Sequence, residues 1–360
     1  MESGYAFREL VPYIIDCTRE LHRHSPPSSP NQWLFDMNEV LYYTYPVILT
    51  IGIIFSIINT VIAAKMASDS HECYMAAFNL SCTLMLVAAC VFQLPNYVRQ
   101  PVNEYTLILP YLPAVETWCW YCCTWLLITV VMERAMHAMC GKWHSSFGKI
   151  HGTLAALLIM IVCFVSTLPS YWEYKLVLVN DSPNEVNCTR GILVPRENVL
   201  QKDGSYIVEY NWYHWFEMIA GISLPYLVLP MILVPLVCVK VHIYTSMPSS
   251  NGKSKYSIGP SVKEQLREER SFNRLIFTIS ILYLIASGPR NVLRLMHNPP
   301  ISLAISKDQL LMSTLTVLFD VLFYSFFSSL FFLYLSFGSK FRTTLYYLCC
   351  CKKTETMDYY

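Results

Sequence analysis

Five ionisable residues stand within or at the edge of long apolar runs, where a charge is costly and requires a partner. Glu116, Arg290 and Asp320 lie inside three of these runs, and Glu133 and Arg134 end one of them. A guanidinium and a carboxylate form strong paired hydrogen bonds. These side chains can therefore bind one another or the charged groups of a ligand. Whether they meet depends on the elements that carry them.

The composition places the apolar runs in a lipid bilayer. Of the 360 residues, 54% are hydrophobic and 14% are charged, whereas soluble domains carry about 25% charged residues. A soluble protein with so little charge would expose large apolar patches. The net charge of +1 gives no field that favours a nucleic-acid partner. Half of the 14 cysteines lie inside the apolar runs, where a free thiol behaves as a small hydrophobe.

Seven runs are long enough to cross a bilayer, which requires about 20 helical residues. Lipid cannot satisfy free backbone groups, so each run must be helical. The sequence therefore predicts an all-α fold, a bundle of seven transmembrane helices. The predicted spans are Tyr43–Ala64, Tyr74–Val98, Thr106–Met139, Lys149–Trp172, Asn211–Tyr244, Lys263–Met296 and Gln309–Phe337.

The distribution of Lys and Arg orients the bundle. These residues are concentrated in the connections on the side of the C-terminus, which predicts a cytoplasmic C-terminus, an extracellular N-terminus and a multi-pass plasma-membrane protein. Residues 1–42 then form an extracellular tail, in which no cleavable signal is evident. Residues 43–337 form the bundle, 338–348 a short amphipathic helix on the membrane surface, and 349–360 a cytoplasmic tail.

Three further signals lie in the connections and the tail. Asn187-Cys188-Thr189 is a glycosylation sequon between spans four and five. The same connection contains Lys202-Asp203-Gly204-Ser205, which predicts a β-hairpin in the second extracellular loop. Cys349, Cys350 and Cys351 directly follow the membrane-surface helix. They form a candidate palmitoylation cluster, and the alternative is a structureless tail.

The Glu133-Arg134 pair at the inner end of span three allows two interpretations. The charges can simply reach the membrane surface, as they do at the ends of many spans. Alternatively, Glu268 or Glu269 at the inner end of span six faces Arg134 if the two spans are neighbours. Pro289 then provides a kink about which span six can swing. In this second interpretation Arg134 is half of a latch with a closed and an open state.

The order and spacing of these residues resemble those of rhodopsin-like G-protein-coupled receptors, over roughly Tyr43 to Leu348. The matching landmarks are Asn59, Glu133-Arg134-Ala135, Pro230, Pro289 and the Tyr334 of Phe332-Leu333-Tyr334. The resemblance implies a receptor that couples to a heterotrimeric G protein, with arrestin and membrane lipid as further partners. The residues implied in coupling and activation are Glu133, Arg134, Glu269, Pro289 and Tyr334.

The chain departs from this family at several landmarks. The positions of the two sodium ligands fall at Leu84 and Leu330, so no sodium site is expected. Ser287 stands where the family has its toggle tryptophan. The usual cysteine at the outer end of span three is missing. Cys188 therefore lacks the family's partner, and it either pairs with Cys17 or stays free.

A narrower resemblance concerns the outer half of the bundle. Gly288-Pro289-Arg290 resembles the Ala-Pro-Arg of invertebrate FMRFamide-type neuropeptide receptors. It also resembles that of the related vertebrate orphan receptors proposed to sense aromatic amino acids, and Glu116 matches a glutamate of both groups. We expect an outer ligand cavity lined by Glu116, Trp120, Tyr121, Arg290, Arg294, Asp320 and Tyr324.

This cavity suits two kinds of ligand. A neuropeptide that ends in Arg-Phe-amide would place its guanidinium on Glu116 or Asp320 and its ring among the aromatic side chains. A small aromatic amino acid would place its carboxylate on Arg290 and its ammonium on Glu116. In a third interpretation, Glu116 and Arg290 only hold spans three and six together. The long connection between spans four and five favours the peptide.

Other classes of protein fit the sequence less well. A metalloenzyme needs clustered His and Asp ligands, but His137 and His151, like the other histidines near the membrane boundaries, sit singly. No enzyme activity, metal or other cofactor is predicted. Span seven has no lysine to bind retinal. A transporter or channel is the alternative from another class. However, the sequence shows no internal repeat, and the apolar side chains of Leu84 and Leu330 would make the centre of a transport pathway less polar.

Overall fold

The apolar runs form seven helices that are long and apolar enough to cross a membrane. The computed structural model describes residues 32–93, 108–140, 148–172, 174–180, 189–195, 213, 215–234, 260–296 and 309–349. The predicted all-α, seven-span fold is confirmed. The helices are α1 Gln32–Met66, α2 Ser70–Gln93, α3 Leu112–Cys140, α4 Lys149–Thr167, α5 Glu217–Val234, α6 Pro260–Met296 and α7 Gln309–Phe337.

Short irregular helices adjoin three of these spans. A 3₁₀ turn, Leu109–Tyr111, leads into α3, and another, Leu168–Trp172, follows α4. The start of α5 is a π-helix, Glu217–Ser223. Helices α1 and α6 contain 35 and 37 residues, which is over 50 Å of helix at about 1.5 Å per residue. Because the hydrocarbon core is about 30 Å thick, both helices extend beyond it.

A β-hairpin follows α4, in the connection where the sequence predicts one. Strand β1, Tyr174–Asn180, pairs antiparallel with β2, Thr189–Pro195. Both strands precede the Lys202–Ser205 stretch on which the prediction was based. That stretch, the sequon at Asn187 and the candidate disulfide pair Cys17 and Cys188 lie outside the described residues.

The burial pattern separates a central helix from peripheral ones. In the apolar stretch of α3, 67% of the residues are buried inside the bundle, whereas in that of α4 only 22% are buried. The outward face of α4 consists of large apolar side chains such as Ile150 and Leu158. Lipid can cover this face, whereas water could not do so without a large cost. Helix α3 therefore runs through the middle of the bundle and can contact several other spans.

The rotation of α2 differs from the sequence expectation. Leu84 is 38% exposed and faces outward, whereas Asn79 and Cys82 are buried. Residues three and four apart share a helix face, so the inward stripe runs through Phe78, Cys82 and Met85 and misses Leu84. The prediction that Leu84 lies in the bundle interior is wrong. Leu330 of α7 is buried as expected.

Glycine allows α4 to approach α2 closely. A Cβ atom at Gly152 would overlap the backbone of Ser70, the first residue of α2. Close approach at small residues is a common way of packing helices in membranes, because it maximises van der Waals contact. The contact between α2 and α4 therefore depends on Gly152.

We predict that Gly152→Ala lowers the melting temperature of the purified protein by several degrees. Overpacking of this kind costs roughly 1–3 kcal/mol, since the obstacle is backbone and cannot rotate away. The matched control is Gly288→Ala, whose Cβ would meet only Tyr226 at 3.9 Å, so its melting temperature should be unchanged or slightly higher. Equal melting temperatures for the two variants would contradict this packing.

Candidate functional site

Arg290 joins three helices through two carboxylates. Its Nη2 lies 2.5 Å from Oε1 of Glu116 on α3, and its Nε lies 2.6 Å from Oδ1 of Asp320 on α7. The side chain of Arg290 is 8% exposed, that of Glu116 14% and that of Asp320 26%. A buried guanidinium is stable in an apolar bundle only when it is paired in this way. Three of the five ionisable residues singled out in the sequence thus meet at one place.

Aromatic side chains of α7 complete the surroundings of Arg290. Tyr324 donates a hydrogen bond of 2.6 Å to Oε1 of Glu116 and accepts one of 3.3 Å from Nη2 of Arg290. The guanidinium carbon of Arg290 stands 4.3 Å from the centre of the Phe323 ring, which adds a cation–π attraction. Asp320, Phe323 and Tyr324 share one face because they are three and four residues apart.

This cluster lies near one end of the bundle. Glu116 is close to the start of α3, Arg290 close to the end of α6, and Asp320 in the first half of α7. Tyr45 of α1 closes another side, with its ring edge-on to Tyr324 at 5.5 Å between centroids. Four helices therefore contribute to the site.

The hydrogen-bonding capacity of the cluster is not exhausted. Nη1 of Arg290 is buried and has no hydrogen-bond partner among the described residues. Asp320 is the most exposed of the three charged side chains. The side chain of Arg294, which the sequence also assigns to this cavity, lies outside the described residues. One donor and one partly exposed carboxylate are thus placed where a charged ligand group could reach them.

Trp120 and Tyr121 pack one turn deeper in α3 than Glu116. Nε1 of Trp120 donates to the hydroxyl of Tyr283 on α6 at 3.0 Å, and Trp120 is 1% exposed. Tyr121 lies against Gly221 in the π-helical start of α5, where a Cβ atom would overlap its ring. The sequence places both side chains in the cavity lining. The structure places them in the packed layer beneath the charged cluster.

Hydrogen bonds join α5 to α6 at the position of the missing toggle tryptophan. The hydroxyl of Tyr226 donates to Ser287, and Asn291 donates to the same hydroxyl at 2.8 Å. Ser287 in turn donates to the carbonyl of Tyr283. The large indole of this layer comes from Trp120 of α3 and not from α6. Polar and aromatic contacts between α3, α5 and α6 therefore form the layer of the bundle next to the charged cluster.

At the opposite end of the bundle, Arg134 contacts α6 through an aromatic ring. Arg134 is buried, and its guanidinium carbon lies 4.8 Å from the centre of the Phe272 ring. Glu133 accepts a hydrogen bond from Ser70 at the start of α2. The side chain of Glu269, the predicted latch partner, lies outside the described residues, so that pair stays a prediction.

Tyr334 lies in the same half of the bundle as Arg134. Its hydroxyl accepts a hydrogen bond of 2.8 Å from Nδ2 of Asn79 on α2. Its ring stacks on Phe341 of a short helix α8, Ser339–Cys349, with 5.2 Å between centroids. Gly338 permits the tight corner between α7 and α8, since a Cβ there would lie 2.7 Å from the carbonyl oxygen of Tyr334. Tyr334 thus ties α7 to two other elements.

Several partners in these sites have no signal in the sequence. Tyr45, Phe272 and Phe323 are aromatic residues in a chain that is 14% aromatic, so nothing distinguishes them from other core or lipid-facing rings. Asn79 carries a weak signal, because an amide in an apolar span must find a hydrogen-bond partner. Its contact with Tyr334 could have been suspected on that ground.

A seven-helix bundle with a buried charge cluster near one end and an Arg near the other has the architecture of a serpentine receptor. Residues 56–352 match the family described as serpentine type 7TM GPCR chemoreceptor Srw. This match covers most of the chain, and the chain belongs to that family. Comparison with curated proteins finds no match. The protein is therefore a multi-pass membrane protein of a G-protein-coupled receptor family.

We predict that Arg290→Met lowers the melting temperature markedly, because Glu116 and Asp320 then face each other without a cation. Removing one partner of a buried ion pair costs about 3–5 kcal/mol. The triple variant Arg290→Met, Glu116→Gln, Asp320→Asn carries no stranded charge and should recover most of the loss. A triple variant as unstable as the single one would mean that packing around Arg290, and not its charge, holds the site together.

Proposed function

We propose that this receptor transduces the binding of an extracellular neuropeptide with a cationic side chain, such as an RFamide-like peptide, into G-protein activation. The observation that carries the proposal is the arrangement of two carboxylates, Glu116 and Asp320, around one guanidinium. The three described charged groups sum to one negative charge, which a cationic ligand group would neutralise. The narrower resemblance to rhodopsin-like, FMRFamide-type receptors favours the same ligand class.

The two carboxylates are not equivalent as ligand contacts. Oε1 of Glu116 already accepts hydrogen bonds from Arg290 and Tyr324, whereas Oδ1 of Asp320 forms an ion pair with Nε of Arg290. The Asp320 side chain is also nearly twice as exposed. A guanidinium or ammonium from the ligand would therefore reach Asp320 first. Glu116 would keep Arg290 and Tyr324 in place.

A small aromatic amino acid is the second candidate ligand. Nη1 of Arg290, which lacks a partner in the described part of the chain, could donate to its carboxylate, and Asp320 or Glu116 could receive its ammonium. The aromatic ring would pack against Tyr324 or Tyr45. A peptide would make the same charged contact and continue toward the hairpin after α4. The two ligands differ in one requirement: the amino acid needs its own free carboxylate to bind Arg290, whereas the peptide, which ends in an amide, does not.

The proposed orientation puts the charged cluster at the extracellular end and α8 in the cytoplasm, in the plasma membrane. The excess of Lys and Arg near the C-terminal side supports it. Cys349 at the end of α8 is an exposed free thiol, a suitable position for palmitoylation together with Cys350 and Cys351. Glycosylation at Asn187 and binding of arrestin fit the same orientation. The described interior beneath the cluster is filled by Trp120 and its neighbours, which favours a receptor over a transporter.

Activation would follow as a shift between two populations of the bundle. The ligand binds more tightly when α6 has pivoted near Pro289. At the inner end Arg134 then leaves its closed-state contacts, Phe272 and the predicted Glu269, and a cleft opens for the G protein. Tyr334 would turn with α7 when its bond to Asn79 breaks. The ligand shifts this equilibrium only by its difference in affinity for the two states.

The ligand proposal is tested by a peptide-library screen on cells that express the chain with a promiscuous G protein. For the best agonist, we expect Glu116→Gln and Arg290→Ala to abolish the response and Asp320→Asn to weaken potency roughly 10- to 100-fold, when cells with equal amounts of each variant at the surface are compared. The size follows from the loss of one hydrogen bond to a charged group. Replacing the peptide's Arg by neutral citrulline should weaken potency on wild type but not further on Asp320→Asn.

Three outcomes would contradict the ligand proposal in different ways. Unchanged potency in all three variants would exclude this cluster as the ligand site. Independent, additive effects of citrulline and Asp320→Asn would place the peptide's cation elsewhere. Responses only to free aromatic amino acids, lost when the carboxylate is amidated, would establish the second candidate instead.

We predict that Phe272→Leu and Glu269→Ala each raise signalling without agonist. Phe272→Leu keeps an apolar side chain but removes the cation–π contact with Arg134, which is worth roughly 1–2 kcal/mol in a desolvated site, or about fivefold or more in the closed-to-open ratio. The control is Phe332→Leu on the lipid-facing side of α7, where Phe332 is 53% exposed. No rise in Phe272→Leu would show that this ring does not restrain α6, and no rise in Glu269→Ala would exclude the predicted latch pair.

A further inference from the structure

An acidic corner lies at the inner end of α2. One side-chain oxygen or nitrogen atom of each of Asp69, His71 and Glu72 lies within 4.8 Å of the others, and such a group of atoms could bind a cation. Oε2 of Glu72 accepts from the backbone N–H and the hydroxyl of Ser68, at 2.9 and 2.7 Å. Oε1 of Glu72 lies 3.0 Å from Nζ of Lys340 on α8. The positive charge beside these acidic side chains is therefore the ammonium group of Lys340.

The same ammonium reaches α6. Nζ of Lys340 lies 3.9 Å from Oε2 of Glu268. Ser271, three residues further along α6 and on the same helix face, donates a hydrogen bond to the carbonyl of Phe337 at the end of α7. The corner formed by α7 and α8 thus holds the inner end of α6 at two adjacent points. Neither point involves Arg134 or Glu269.

Helix α8 is fixed in the position that this contact requires. Phe341 is buried beneath Tyr334, and Nη1 of Arg342 donates to the carbonyls of Leu335 and Ser336 at 2.8 and 3.0 Å. Because its backbone is anchored on both sides of the corner, Lys340 loses less conformational freedom when it pairs than a lysine on a mobile tail would.

The two carboxylates hold Lys340 with different strength. Glu72 is buried, with a side chain 6% exposed, and makes the shorter contact. Glu268 is 38% exposed and makes the longer one, and contacts between exposed charges are weak and easily broken. The arm to α2 is therefore the fixed one, and the arm to α6 is the one that can open.

We propose that Lys340 is a closed-state restraint on α6, in which Glu72 holds the ammonium in place and Glu268 is the arm that separates when α6 moves outward. The restraint is additional to the contacts of Arg134 and depends on the proposed function only for its effect on G-protein signalling. Because Lys340 belongs to α8, the position of α8 would then directly affect how easily the inner end of α6 moves outward.

The ammonium of Lys340 stays protonated in the physiological pH range. Burial lowers the pKa of the Lys340 ammonium, but the carboxylates of Glu72, Glu268 and Asp69 raise it by more, so the pKa lies above its ordinary value. A group with a raised pKa contributes fully below its ordinary pKa and is lost as the pH rises through the raised one. Lys340 therefore stays charged near neutral pH, and the restraint opens by movement and not by loss of the proton.

The test measures the position of α6 in the purified protein without agonist. Spin-labelled noncanonical residues replace Arg270 and Thr343, which are exposed on α6 and α8; cysteine chemistry is avoided because the chain has 14 cysteines. Lys340→Met keeps the aliphatic stem and should shift the distance distribution toward longer values, and Glu268→Gln should do the same. Lys65→Met, an exposed lysine at the inner end of α1, is the control and should leave it unchanged.

The same variants are compared for agonist-independent nucleotide exchange across a panel of G proteins. Lys340→Met and Glu268→Gln should each raise the basal rate about two- to fivefold, and the double variant should not exceed the larger single effect, because both act through one contact. An unchanged distance distribution in Lys340→Met, or additive effects in the double variant, would overturn the proposal. A longer distance with no exchange on any G protein would support the restraint and count against the receptor function.

Discussion

A guanidinium inside an apolar helix bundle must be neutralised where it stands, and this constraint on Arg290 organises one end of the bundle. On the mildest scales an arginine in a membrane span costs up to about 2.5–3.5 kcal/mol, the full value applying at the centre of the span, and Arg290 is buried although it lies near the end of α6. Helices α3 and α7 offset that cost with Glu116 and Asp320, so their rotation and depth relative to α6 are fixed by ion pairs of 2.5 and 2.6 Å. The aromatic contacts of Tyr324 depend on the same placement.

Helix α6 connects this cluster to the opposite end of the bundle because one continuous helix of 37 residues carries both sites. Its outer part is tied through Arg290, next to Pro289. Its inner part is tied by the ring of Phe272 and by the contacts of Ser271 and Glu268 with the corner of α7 and α8. Coupling between distant sites needs an element with two arrangements that both sites bias. In the activation proposed above, helix α6 would be that element, because a single helix carries both ends.

The sequence was sufficient for the spans and for the meeting of Glu116, Arg290 and Asp320, because charges in apolar runs have few ways to be satisfied. It was insufficient for the rotation of α2. Counting from a family landmark put Leu84 inside, but packing against α3 and α7 turns Asn79 and Cys82 inward. The sequence also could not predict the partner of Glu72. That partner, Lys340, is 268 residues away along the chain, and helical periodicity relates only residues of the same helix. Pairings between distant segments follow from the fold and cannot be read from spacing.

The described interior beneath the charged cluster is held by neutral contacts, and this determines which movements of the helices separate charges. In the described part of α2, the inward side chains at mid-depth include Asn79 and Cys82 but no acid. Asn79 holds Tyr334 by one neutral hydrogen bond, worth about 1 kcal/mol, so α7 can turn without separating charges. Because Tyr334 also stacks on Phe341, such a turn moves α8 and with it Lys340. In the proposed activation, release of Tyr334 and loosening of α6 would then be parts of one movement.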